Sequence, residues 1–191
     1  MSTSKKIISI VLGTLILFIW SMVSWMALPF HENTITQIPE GTVDLQKMQN
    51  DMPEDGVYHY PGMPVDDSPE TMAAMEEKLN TGPRIALMVY KSGATKLMDP
   101  MQFAIGLVIN LLVVISLFYI VSKLADKSTK SILGVLIVVG LIIGLASDFA
   151  MLNWWMFPMD FTITNVVDYL VSFTLVGLLF GSYTFKMAKN K

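Results

Sequence analysis

MQFAIGLVINLLVVISLFYIVS, running from Met101 to Ser122, decides the fold: it is twenty-two residues long and carries no charge. A helix rising about 1.5 Å per residue needs about 20 apolar residues to cross a hydrocarbon core about 30 Å thick. Only helices and closed barrels satisfy the backbone in lipid, and an unbroken run of this length excludes the short alternating strands of a barrel. Working outward, the same pattern recurs three times. Ile7 to Leu28 is another uncharged run of 22, Ser131 to Ser147 adds 17, and Thr162 to Phe185 is apolar apart from Asp168, an Asn and a few hydroxyls. The third run reaches spanning length once Asp148 to Leu152 is admitted to its far end.

The composition agrees. The chain has 191 residues, 53% of them hydrophobic and only 15% charged, with a mean hydropathy of +0.54. Soluble domains carry about 25% charged residues, and a domain of this size must still present many residues to water. The absence of cysteine excludes disulfides, thiolate metal sites and thiol nucleophiles. A formal charge of −3 argues against nucleic acid as a partner. The expected fold is therefore an α-helical membrane protein, a four-transmembrane-helix bundle in contact with the lipid bilayer.

The lysines orient it. Residues 1–6, 123–130 and 186–191 hold eight lysines, Lys5, Lys6, Lys123, Lys127, Lys130, Lys186, Lys189 and Lys191, against the single acid Asp126. The 153–161 connection has no Lys or Arg. The positive-inside rule then puts both termini and the 123–130 loop in the cytoplasm, with spans at 7–28, 101–122, 131–152 and 162–185. The first run exceeds the apolar length of a signal peptide and lacks a small-x-small cleavage site, so it is expected to stay as an anchor.

Residues 29–100 then face outward and hold twelve of the sixteen acids. Seventy-two residues are too many for a simple connection. Thr34–Ile38 alternates and is β-branched, Gly56–Tyr60 alternates and is aromatic, and 84–90 is apolar, so each reads as a strand. A helix capped by Thr42 and running to about Gln49, and another from Ser68-Pro69 to about Leu79, separate them. The expectation is a small β-α-β-α-β extracytoplasmic insert between the first and second spans. Its core is marginal at this size.

Chemical motifs are scarce. No phosphate loop, nucleophile elbow or His-Glu-x-x-His motif is present. His31 and His59 could hold zinc only if carboxylates such as Glu32, Asp66 or Asp67 converged on them. Met72 and Met75, among fifteen methionines, have a spacing that suits Cu(I), yet with Leu79 they also form the apolar stripe of a helix. The reading is no metal, no cofactor and no enzymatic constellation. Within the spans, Asp168 and Asn110 are the embedded polar groups, and interhelical hydrogen bonding is the expected role of both. Gly140-x-x-x-Gly144 and Gly177-x-x-x-Gly181 are small-xxx-small faces for close helix packing, on each other or on a partner. Trp20, Trp25, Trp154 and Trp155 fall in the outer half, as an aromatic belt requires.

Trp25-Met-Ala-Leu-Pro-Phe-His31, Gly56-Val-Tyr-His-Tyr-Pro-Gly62 and Asn153-Trp-Trp-Met-Phe-Pro158, followed by Phe161-Thr162 and Asp168, resemble a family of small uncharacterised bacterial inner-membrane proteins. The resemblance spans nearly the whole chain, with Phe30 where the family pattern has Trp. It implies a bacterial inner membrane and the same topology, and attaches no activity. Two functions are expected to compete. One is a non-enzymatic accessory or scaffold subunit of a larger membrane complex, or a homo-oligomer. The other is a small transporter or a lipid- or quinone-binding protein that uses the outer aromatic groove and Asp168.

Overall fold

The computed structural model describes residues 1–186, so Lys189 and Lys191 of the expected C-terminal tail lie outside the described residues. Four helical segments are long and apolar enough to cross a membrane: Thr3–Met26, Pro100–Ser122, Thr129–Trp155 and Met159–Thr184. The chain is a multi-pass membrane protein with a small two-stranded insert after its first span.

Helix α1 (Thr3–Met26) begins where the Ser2 hydroxyl accepts the Lys5 amide at 3.3 Å, four residues before the uncharged run starts. Its hydroxyls do not stand free in lipid: Ser9 and Thr14 donate to the carbonyls of Lys5 and Ile10, one turn back. After α1 the chain turns through a single 3-10 turn, Glu32–Thr34, and residues up to Thr36 pack with the helices rather than with the insert.

The insert proper is Gln37–Lys96. It holds α2 (Leu45–Asp51), β1 (Gly56–Tyr60), α3 (Pro69–Thr81) and β2 (Ile85–Tyr90). Ser68 caps α3 and Pro69 opens it, as read from the sequence, and Gly82 closes it at φ 48°, an angle that favours glycine. Two expectations fail here. Thr34–Ile38 is not a strand: β1 and β2 pair antiparallel with each other alone, and alternation without a partner edge makes no ladder. The insert is thus α-β-α-β. Nor does Thr42 cap α2; the Asp44 carboxylate does, accepting the Lys47 amide at 2.9 Å. The apolar stripes also stay open. None of the buried hydrophobic core residues lies in 37–96, and Leu45 and Met72 are exposed.

What ties the hairpin together is polar. Asp55, just before β1, pairs with Lys91 and accepts the Ser92 amide and hydroxyl at 2.9 and 2.8 Å, just after β2. Lys91 first, then Ser92, holds the Asp55 carboxyl down to about 2 from an ordinary 3.8. A carboxyl depressed on folding stabilises above its unfolded value and stops doing so as pH falls through its folded value. Acidifying from pH 5 to 2 is therefore expected to move the methyl resonances of the cross-strand pair Val57–Val89. The Asp55→Asn variant should show the low-pH spectrum throughout, and identical titrations of the two proteins would refute the link.

The remaining helices are α4 (Pro100–Ser122), α5 (Thr129–Ala146), α6 (Asp148–Trp155) and α7 (Met159–Leu179), the last extended by a wider π turn over Phe180–Thr184. The third span runs to Trp155, not Leu152, and is interrupted at Ser147 (φ −107°, ψ −72°) between α5 and α6. Met156, left-handed at φ 58°, and Pro158 reverse the chain, so α7 starts at Met159 rather than 162.

Helix α1 packs on α4 and α7, and α5 packs on α7. The dry core lies toward the end of the bundle where residues 123–130 join α4 to α5. There Leu17, Val114, Leu117, Val121, Ile132, Leu136, Phe173, Val176, Phe180 and Phe185 are buried, and Phe118 meets Phe180 edge-on with centroids 5.6 Å apart. A buried Thr184–Ser9 hydrogen bond of 2.9 Å joins α1 to the π turn. The half of the bundle around the α6–α7 reversal is built differently, around carboxylates.

Candidate functional site

Asp168 lies nine residues into α7, about 13 Å along the axis from Met159 at 1.5 Å per residue. That is deeper than a helix starting at Thr162 would put it. Its side chain is 15% exposed and faces α1. The Trp20 indole nitrogen donates to its Oδ1 at 2.6 Å, so Trp20 is a hydrogen-bond donor across the α1–α7 contact. The second carboxylate oxygen, Oδ2, faces His31 Nε2 at 3.8 Å, close enough for attraction but too long for a hydrogen bond.

His31 is placed by the sharp exit from α1. Pro29 accepts the Asn33 amide at 3.1 Å, and the turn folds the imidazole back onto Trp25 with ring centroids 3.8 Å apart and planes 9° from parallel. The ring is 1% exposed, and neither of its nitrogens has a hydrogen-bond partner. A buried polar group left unpaired costs about 1–3 kcal/mol, so the two His31 nitrogens are the least satisfied polar atoms of this part of the bundle. Beside it, Trp20, Ser24, Phe30, Ile163, Val167 and Asp168 line a cavity of about 170 Å³ between α1 and α7. Its lining is mostly apolar and includes the Asp168 carboxylate and the side chains of Ser24 and Thr164.

The other sequence candidates separate. His59 lies on β1 in the insert, exposed, with Nδ1 3.1 Å from its own Pro61 carbonyl. Met72 and Met75 sit on α3 in the insert. Among the described residues no three His, Asp or Glu side chains gather as a divalent metal would require. Asn110, half-buried on α4, makes no interhelical hydrogen bond among the described residues, contrary to expectation. Trp25 joins the site through His31, whereas Trp154, at 74% exposed, and Trp155 stand on the outside of α6.

The glycines are consumed internally. A Cβ on Gly144 would lie 2.7 Å from a Val166 methyl, on Gly140 3.4 Å from Leu170, on Gly177 2.9 Å from Leu133, and on Gly181 2.7 Å from the Thr129 Cα. Both small-xxx-small faces therefore form one seam between α5 and α7.

A second polar group was not foreseen. Asp148, taken from sequence as the outer end of a span, is 8% exposed inside the longer third span, and Asn165 of α7 donates to its Oδ1 at 2.9 Å. Counting the apolar run through to Trp155 would have shown a carboxylate embedded in it. Tyr169, partly buried, lies within electrostatic reach of both Asp148 and Asp168. Helix α7 thus carries carboxylate chemistry on two faces, toward α1 and toward the α5–α6 break. No family model, curated protein or solved structure matches this chain.

Proposed function

We propose that this protein binds an amphipathic, hydroxyl-bearing ligand, a lipid headgroup or quinol, in the cavity between α1 and α7. The observation that carries this reading is the buried His31 ring, with two unpartnered nitrogens, 3.8 Å from the Asp168 carboxylate. A ligand hydroxyl in the cavity would donate to Asp168 Oδ2, and His31, which does not itself line the cavity, stands behind that carboxylate with Nε2 3.8 Å from Oδ2. Ile163, Val167 and the face of Trp20 offer the apolar walls an attached ring or chain needs. Trp20 fixes the carboxylate and Trp25 fixes the imidazole, so the site is preorganised. The lysine distribution and the resemblance to bacterial inner-membrane proteins support placing this end of the bundle on the extracytoplasmic side, with both termini in the cytoplasm.

The accessory-subunit reading loses its glycine support, because that seam is filled within the chain. It keeps one observation: Val57 and Val89, paired across the hairpin, are 61% and 81% exposed. A stoichiometric protein that co-purifies in mild detergent and is released by Val89→Lys would favour it.

For the ligand site, His31→Phe keeps a flat ring against Trp25 and removes both nitrogens. Full-length protein carrying it is expected to lose quenching of Trp20 fluorescence by decylubiquinol. It should also lose whichever hydroxyl-bearing lipid extracts with the unaltered protein. Equal quenching and equal lipid profiles for the two proteins would sink the proposal.

A further inference from the structure

We propose that Asp148, Thr162 and Asn165 form a membrane-embedded site for an alkali cation, sodium being the probe of choice, on the face of α7 opposite the ligand cavity. The starting point is a register. Along the seam Leu133 meets Gly177, Gly140 meets Leu170 and Gly144 meets Val166. One turn further, the same antiparallel step sets Asp148 opposite Thr162, and Asn165 confirms the rung with its 2.9 Å hydrogen bond to Asp148 Oδ1.

Two buried oxygens on that rung are unused. Asp148 Oδ2 and Thr162 Oγ1 make no close hydrogen bond, Thr162 is 1% exposed, and among the described residues the Tyr169 hydroxyl is the one further polar group that interacts with the Asp148 carboxylate. Thr162 differs from the hydroxyls that bond within their own helix. Ser9, Thr14, Ser116 and Ser182 each donate to the carbonyl one turn back in their own helix, which is how a hydroxyl hides in lipid. Thr162 forgoes that bond. Asn165, held with its Nδ2 toward the carboxylate, has its amide oxygen as the acceptor it can still offer. At the interruption the C-terminal end of α5 meets the N-terminal end of α6, and Asp148 stands in the first turn of α6.

Carboxylate, hydroxyl and amide oxygen make an all-oxygen, hard donor set of the kind that broken membrane helices offer to sodium or protons. Charge selects the valence. Among the described residues no Lys, Arg or His pairs with Asp148, and there is one carboxylate, not two. A buried water would satisfy the two oxygens but leave a net negative charge inside a span, which costs a few kcal/mol. One monovalent cation meets both needs, whereas a divalent ion would leave a positive charge.

The test uses full-length protein in lipid nanodiscs, with thermal unfolding followed by tryptophan fluorescence while sodium chloride replaces choline chloride at constant ionic strength and pH. The midpoint is expected to rise saturably with sodium, as linkage requires for a ligand of the folded state. Thr162→Val, close in shape, should weaken the half-saturation about tenfold, the order expected for loss of one polar ligand. Asp148→Asn should abolish the response, and Thr162→Val carries the test alone if that variant does not fold. His31→Phe should titrate as the unaltered protein does, which separates this site from the ligand cavity. Equal midpoints in sodium and choline, or a Thr162→Val titration indistinguishable from the unaltered one, would overturn the proposal.

Discussion

Gly181→Leu is expected to be the most destabilising single substitution along the α5–α7 seam. A Cβ there would stand 2.7 Å from the Thr129 Cα and 2.7 and 2.8 Å from its side-chain carbons. The obstacle is backbone at the first residue of α5, so no rotamer change clears it. Relief requires moving the N-terminus of α5 away from the π turn. That movement would open the core beside Phe180 and strain the Thr184–Ser9 hydrogen bond that ties α1 to the same turn. Overpacking costs about 1–3 kcal/mol and occasionally more, and a clash against fixed backbone with a shared polar tie belongs at or above about 3. Gly134→Ala, on α5 across the seam, is the control. Nothing lies within 4 Å of its Cβ position, and it should be neutral or gain up to about 1 kcal/mol of helix propensity. Thermal unfolding in mild detergent would check both. A Gly181→Leu midpoint within a degree or two of the control would mean that the seam is looser than described.

The seam also explains which parts of the fold could be read from sequence. The four spans follow from run length alone, because lipid requires long helices and nothing else in the chain supplies such runs. The paired glycine motifs are equally local, four residues apart in each run. Partner identity is not local: that Gly144 receives Val166 depends on the α6–α7 reversal at Met156–Pro158. Span ends shifted for a related reason. Ser2 and Pro158 set the starts of α1 and α7, and neither belongs to an apolar run. Thr34–Ile38 has the alternation of a strand but no edge to join, and pairing is a property of two segments. The site was half visible. Asp168 stood out as a charge in an apolar run, while Asp148 was taken for the end of one. His31 turns back because of a proline turn and a stacking partner six residues earlier, so its burial could not be read from spacing.

Asp168→Asn is expected to separate stability from function. Two effects on the bundle oppose each other. The amide oxygen still accepts the Trp20 N–H, but a neutral acceptor forms a bond roughly half as strong as a carboxylate does. Interhelical hydrogen bonds in membranes are worth on average about 0.6 kcal/mol and at most about 1.7, so the loss is small. Against it, a charge embedded in a span costs about 2.5–3.5 kcal/mol on insertion scales, and the amide removes that cost. With Asp168 15% exposed beside a cavity, only part of the cost applies. The net change in stability should fall within about 1 kcal/mol of zero, and a modest gain is the expected sign. Ligand retention responds differently. Replacing Oδ2 by a donor turns the acceptor for the ligand hydroxyl into a competitor for it, so decylubiquinol quenching of Trp20 should need at least about tenfold more quencher. Trp20→Phe completes a cycle for stability, where its coupling to Asp168→Asn should be no more than about 1.7 kcal/mol. If the carboxylate is only interhelical glue, the pattern inverts. Asp168→Asn would then lower the unfolding midpoint clearly while whatever lipid co-purifies remains unchanged. A carboxylate kept for function costs the fold something, and removing it should show that cost as a gain.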